Sequence, residues 1–162
     1  MINGTQHVNL AMRSLGGRVS NGQHGHDEGP RSPRAIEVRV AAKLENLSVL
    51  RTVVGAVGTY EDLDFDSVAD LRLAVDEAST RLIRSADPDA TIVLVVNPFD
   101  DHLVVDVSTT CSSPDIVVPG SFSWHVLSSL TDEVSTFQDG HGPEDSHVFG
   151  ISMTTRRASS LR

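Results

Sequence analysis

Residues 67–108 read SVADLRLAVDEASTRLIRSADPDATIVLVVNPFDDHLVVDVS, and two different periods meet inside them. In the first half Val68, Leu71, Val75, Ala78 and Leu82 recur at three and four residues, the spacing of a helix with one apolar face. Ser67 with Asp70 three residues on supplies a capping box at its start, and Asp87–Pro88 stops it soon after Ser85. The second half is β-branched. Thr91–Val96 (TIVLVV) and His102–Ser108 (HLVVDVS) flank the turn Asn97–Asp101, which predicts a hairpin. A long amphipathic helix followed at once by a hairpin demands a layer of helix on a layer of sheet.

Outward from this stretch the same two periods alternate. Toward the N-terminus, Leu47, Leu50, Val53, Val54 and Val57 predict an earlier helix ending near Gly58. Thr59–Phe65 follows as an acidic loop, and Ala35–Val40 alternates like a half-buried strand. Toward the C-terminus, Thr109–Gly120 reads as a polar loop and Phe122–Leu130 as a helix. Glu133–Phe137 and His147–Thr155 read as two strands around a Gly/His/acid-rich turn. The order predicts a two-layer α+β sandwich, with helices on one face of a mixed, mostly antiparallel sheet. Residues 1–34 lack an apolar period and read as a mobile tail. That leaves one domain at 35–157 and a short C-terminal tail at 158–162.

Charge and composition narrow the function. The chain of 162 residues carries a formal charge of -9, and residues 1–34 hold four arginines against Asp27 and Glu28, so the folded body is the acidic part. Such a body repels phosphate backbones, which disfavours direct nucleic-acid binding and suits a basic protein partner or simple solubility. No apolar run reaches the roughly 18–20 residues of a membrane span, and no secretory signal opens the chain. Cys111, the single cysteine, forms no disulfide within the chain and reads as a bystander thiol in a loop, so the cytoplasm is the expected compartment. His24 and His26 in the tail, and His141 and His147 with Glu144 and Asp145 around the last turn, have metal-ligand chemistry. A solvated tail accounts for the first set and a solvated hairpin turn for the second, and no metal site is expected.

Three segments in order carry a resemblance. They are Glu45–Arg51 (ENLSVLR), Leu71–Ile83 (LRLAVDEASTRLI) and His102–Ser108 (HLVVDVS). Together they resemble the serine-kinase anti-sigma factors of the RsbW/SpoIIAB type, which carry the GHKL (histidine-kinase-like ATPase) fold. Within that family the chain looks most like the mycobacterial-type anti-sigma-F factors. The resemblance covers residues 35–157. It implies a homodimer that holds an alternative, stress-type sigma factor away from RNA polymerase, released by an anti-anti-sigma antagonist of the STAS type. It implies that Arg51 stands where the family's first helix contacts partners, and that the acidic loop with Glu61, Asp62 and Asp64 belongs to the same docking surface. The family alternative is a working enzyme, an ATP-dependent serine kinase acting on its antagonist.

The family's nucleotide boxes are altered here. Glu77–Ala78 matches the helix box whose usual core is Glu-Ala-x-x-Asn, so Glu77 stands at the catalytic glutamate. Arg81 replaces the asparagine that carries Mg²⁺ in the family. A guanidinium offers only donors and repels a cation, so Mg²⁺ is not expected. Thr109–Ser113 (TTCSS) replaces the Asp-x-Gly-x-Gly loop, and Ser121 and Ser123 stand in the likely glycine places of the second box, near Trp124. Thr109, Ser121 and Ser123 are therefore the residues nearest to cofactor-binding positions, and ATP binding is left open. Glu77 and Arg81 are also four apart on a helix, the favourable order for an ordinary surface ion pair. Trp124 reads as a core residue rather than an adenine stacker.

Overall fold

In a computed structural model of the chain, residues 31–112, 117–139 and 147–158 are described. The alternation of the first strand, β1 (Ile36–Ala41), turns Ile36, Val38 and Val40 toward the helices. A single 3₁₀ turn, Leu44–Asn46, leads into α1 (Leu47–Tyr60), and four residues later α2 (Phe65–Ser85) begins. Then follow β2 (Thr91–Pro98), β3 (His102–Cys111), α3 (Phe122–Leu130), β4 (Glu133–Asp139) and β5 (His147–Arg156). This is the α+β layering expected from the sequence.

The sheet runs in the order β1-β2-β3-β5-β4 and every neighbouring pair is antiparallel, so the expected mixed sheet is corrected to a wholly antiparallel one. The reason lies in the number of helices between strands. Each helix reverses the chain, so two helices between β1 and β2 bring β2 back antiparallel beside β1. One helix between β3 and β4 makes those two strands run the same way, and β5 slots between them, antiparallel to both.

One core lies between the sheet and the helices. Leu50, Val54, Ala74, Val75, Ala78, Leu82 and Leu127 are fully buried from the helical layer, against Ile92, Leu94, Val96, Leu103, Val105, Val107, Ile151 and Met153 from the sheet. Every one is aliphatic or Met, as a chain with only 4% aromatic residues requires. Among the described residues no helix covers the other face of the sheet. There Phe137 lies flat over Gly150, where an added Cβ would stand 2.1 Å from its Cζ.

Several local boundaries move. The cap of α2 is Asp64, whose carboxylate accepts from the Ser67 N–H (2.9 Å) and hydroxyl (2.7 Å), so Ser67 is a first-turn residue and not the cap. The expected loop Thr59–Phe65 shrinks to residues 61–64, because α1 continues to Tyr60 and α2 starts at Phe65. β3 does not end at Ser108. It runs to Cys111, pairing Thr109, Thr110 and Cys111 with Phe149, Val148 and His147. Cys111 is therefore a fully buried strand residue and not a loop thiol.

Candidate functional site

Helix α2 presents one polar side to α3. Glu77 is at its centre. Its Oε1 accepts both the Arg81 Nε–H (3.0 Å) and the Ser123 hydroxyl (2.8 Å) from α3. Burial raises the Glu77 carboxyl, but hydrogen bonds from Ser123 and Arg81, with the charges of Arg81 and Arg84, outweigh it and leave the group below its ordinary value. The carboxylate is thereby held ionised, with Oε1 already accepting two internal donors.

The other expected nucleotide residues are likewise engaged internally. Ser121 caps α3, its hydroxyl oxygen accepting from the Trp124 N–H at 3.3 Å. Gly120 ahead of it has φ +88°, a left-handed turn that suits glycine, so one glycine survives where the second box would lie. Thr109 is buried on the helix side of β3 and donates its hydroxyl to the Thr91 carbonyl of β2 at 3.0 Å. Trp124 packs half-buried against the core. Glu77 and Ser123 are thus brought together, whereas Thr109 serves the central β2–β3 pair and Ser121 the helix cap. With Arg81 on Glu77 Oε1, the described residues do not fit a Mg²⁺-bound nucleotide.

The opposite side of α2 meets α1 in an open groove of about 620 Å³. Gly55, Ala56, Leu63, Phe65 and Val68 line it together with Arg51 and Arg72. The groove exists because α1 is built from small residues on that side. A Cβ at Gly55 would stand 3.0 Å from Arg72 Cδ, so the glycine lets the arginine stem lie across α1. Arg51, the one charge among the fourteen residues of α1, reaches Asp76 of α2 at 3.5 Å. Sequence reasoning found Arg51 but missed Arg72, Gly55 and Phe65. The available signal was a glycine in the middle of a helix, which is costly unless something must approach it.

The acidic loop is divided by the fold. Glu61 is only 4% exposed. Its Oε2 accepts Arg34 Nη1 (2.7 Å) and Arg157 Nη2 (2.8 Å), and Arg157 also donates to its carbonyl. The Glu61 carboxylate therefore binds the two ends of the domain to α1 and does not face outward. Asp64 is committed to capping α2, with its carboxyl held below the usual range by Ser67. Asp62 remains exposed, at φ 58°. Residues 31–34, assigned to the tail by sequence, are tied down. Arg31 pairs with Glu37 at 2.9 Å, and the Ser32 N–H donates to Asn97 Oδ1 at 2.7 Å. His24, His26, His141, Glu144 and Asp145 lie outside the described residues, and among the described residues no His, Cys, Asp or Glu group forms a metal-binding cluster. No described helix is long and apolar enough to cross a membrane.

The anti-sigma-F factor RsbW of Mycobacterium tuberculosis is 63% identical to this chain over 133 residues, covering 82% of this chain and 79% of that protein. Similarity extends more weakly to proteins called serine-protein kinase RsbW. That of Halalkalibacterium halodurans is 29% identical over 85 residues, 52% of either chain. That of Staphylococcus aureus is 25% identical over 126 residues, 64% of this chain and 79% of that protein. No protein-family model matches the chain.

Proposed function

This chain belongs to the RsbW family of anti-sigma factors, and on that premise we propose that it binds and sequesters an alternative sigma factor of the stress-type, sigma-F kind. Holding the sigma factor blocks its access to RNA polymerase. An anti-anti-sigma antagonist of the STAS type competes for the same surface and releases it. The working form is a homodimer in the cytoplasm. The observation that carries this reading is the 63% identity to a named anti-sigma-F factor across most of both chains.

The enzyme reading has less behind it. The relatives called kinases are 25–29% identical, and the side of α2 where phosphoryl transfer would be organised is bound up in its own hydrogen bonds. Phosphoryl transfer depends on positioned metal and phosphate contacts. Arg81 and Ser123 occupy Glu77 instead.

Binding decides the matter. The full chain is titrated calorimetrically against purified sigma-F of Mycobacterium tuberculosis, with and without Mg-ATP. Micromolar or tighter binding, about -8 kcal/mol or better, in both conditions is the expected result. Absence of binding in both would overturn the proposal. Binding only with Mg-ATP would restore the nucleotide-dependent reading.

A further inference from the structure

We infer that the turn between α1 and α2 is a strained hinge, latched through Glu61 by Arg157 and Arg34 from the two ends of the domain. The latch fixes how α1 and α2 are set for a partner. Its three side chains act through the turn, as positioning residues, and Arg34 is the member that releases. The latch stands on geometry alone, and its part in binding rests on the anti-sigma reading.

The strain is at Asp62. The turn closes α1 with two backbone bonds: the Leu63 N–H donates to the Gly58 carbonyl (3.0 Å) and the Asp62 N–H to the Thr59 carbonyl (3.2 Å). That pair of bonds ends a helix through one left-handed residue, usually glycine. Here the residue is Asp62, at φ 58°. A side chain in that region carries a steric cost and stays there only where its surroundings hold it. Part of the hold is local. Leu63 is buried over Gly58, where an added Cβ would stand 3.4 Å from its Cδ1.

The rest comes from far along the chain. Arg157 Nη1 donates to the Glu61 carbonyl, an acceptor at the end of α1, where a cation also meets the negative end of the helix dipole. Its Nη2 donates to Glu61 Oε2 (2.8 Å) and to the Phe99 carbonyl (3.0 Å), and its N–H to the Asp101 carbonyl (2.9 Å). One residue therefore ties the end of α1 to the β2–β3 hairpin. Arg34 donates to the same Oε2 at 2.7 Å, from a segment that Ser32 fastens to Asn97 of β2. The side chains differ in cover: Glu61 is 4% exposed, Arg157 13% and Arg34 49%. Opening the buried pair is costly, whereas the half-exposed guanidinium of Arg34 is shared with water and with Asp100 at 3.9 Å. Only residues 61–64 join α1 to α2, so releasing the turn frees the alignment of both helices.

The test is hydrogen exchange on the full chain, followed by dissociation kinetics with purified Mycobacterium tuberculosis sigma-F. We expect Arg34→Ala to speed exchange of the Asp62 and Leu63 amides by about tenfold, the loss of one charge-assisted hydrogen bond. Arg157→Lys, which removes the fork, should speed it further, and Arg34→Lys should stay near wild type. Amides of Ala74–Leu82 should not respond to the Arg34 changes. Asp62→Gly removes the strain and should return exchange in Arg34→Ala toward the wild-type rate. Sigma-F should dissociate about fivefold faster from Arg34→Ala. In a Glu61→Gln background Arg34→Ala should add nothing, because a residue acting through Glu61 loses its effect with it. Unchanged exchange at Asp62 and Leu63 in both Arg34→Ala and Arg157→Lys would overturn the latch. A rise spread evenly over the helices would make these contacts ordinary stabilisers and overturn it as well. Faster exchange with unaltered sigma-F dissociation would overturn the positioning role. So would additive effects of Arg34→Ala and Glu61→Gln, which would make Arg34 a direct contact. Should Glu61→Gln fail to fold, Asp62→Gly decides: recovery of sigma-F dissociation in Arg34→Ala supports positioning, and no recovery overturns it. If the wild-type chain does not bind sigma-F, the anti-sigma reading and the positioning role fall together, and exchange still decides the latch.

Discussion

On the side of α2 that meets α3, polar groups are engaged with one another: Arg81 and Ser123 both donate to Glu77, and Ser121 caps its own helix. On the side that meets α1, the reverse holds. Small residues leave a groove open, Arg72 has no carboxylate partner among the described residues, and Phe65 stands in water. Both sides belong to one helix over one core, so the contrast does not arise from general stability. It arises from which polar groups are satisfied. A satisfied group gains little from a ligand, because binding must first break what it already has. An unsatisfied cation beside exposed apolar surface gains from being covered.

Perturbations graded by size test this contrast. The largest effect belongs to Leu82→Ala, which removes a fully buried side chain beneath α2. It should cost about 2–5 kcal/mol in denaturant unfolding and weaken both sides together. Damage confined to one side would mean that the two surfaces are supported separately.

Next in size is Glu77→Ala, which removes the acceptor of both Ser123 and Arg81. A loss of about 1–2 kcal/mol of stability is expected by thermal melting, with sigma-F affinity unchanged. A large loss of affinity would show that the α2–α3 side takes part in docking.

Acid titration of Glu77→Gln gives a smaller effect with a definite sign. The folded carboxyl of Glu77 lies below its unfolded value. The stability it contributes is therefore present above the unfolded value and lost as pH falls through the folded one. The melting-temperature gap between wild type and Glu77→Gln should be full at neutral pH and shrink as pH falls below the ordinary Glu value and through the depressed folded one. A gap that persists into acid would place its origin in packing and not in charge.

Smallest is Arg81→Asn, which puts back the asparagine of the resembling family. The lost i,i+4 pair should cost about 0.3–0.5 kcal/mol. Calorimetry should still find no Mg²⁺ dependence of ATP affinity, since Ser123 continues to hold Glu77. Recovery of Mg²⁺ dependence by this one change would make Arg81 the sole block.

Much of the fold was legible because its cues are local. The three-and-four spacing of Val68 to Leu82 and the alternation of His102 to Ser108 each declare an element without reference to the rest of the chain. The Glu77–Arg81 pair was legible for the same reason, since four helical residues bring the two side chains together. The end of β3 was not. Thr109–Thr110–Cys111 has loop-like neighbours in sequence, but β5 supplies backbone partners for all three residues. Glu61 was misjudged because its partners Arg34 and Arg157 lie 27 and 96 residues away.

By itself the sequence determined the alternation of helix and strand, the aliphatic core, the acidic balance and the altered nucleotide boxes. Each is a matter of residue type and short spacing. Only the tertiary structure decided the all-antiparallel order, the burial of Glu61 and the meeting of Gly55 with Arg72 across two helices. Those depend on which distant backbone and side-chain groups satisfy one another once the helices pack on the sheet, and no local period encodes that choice.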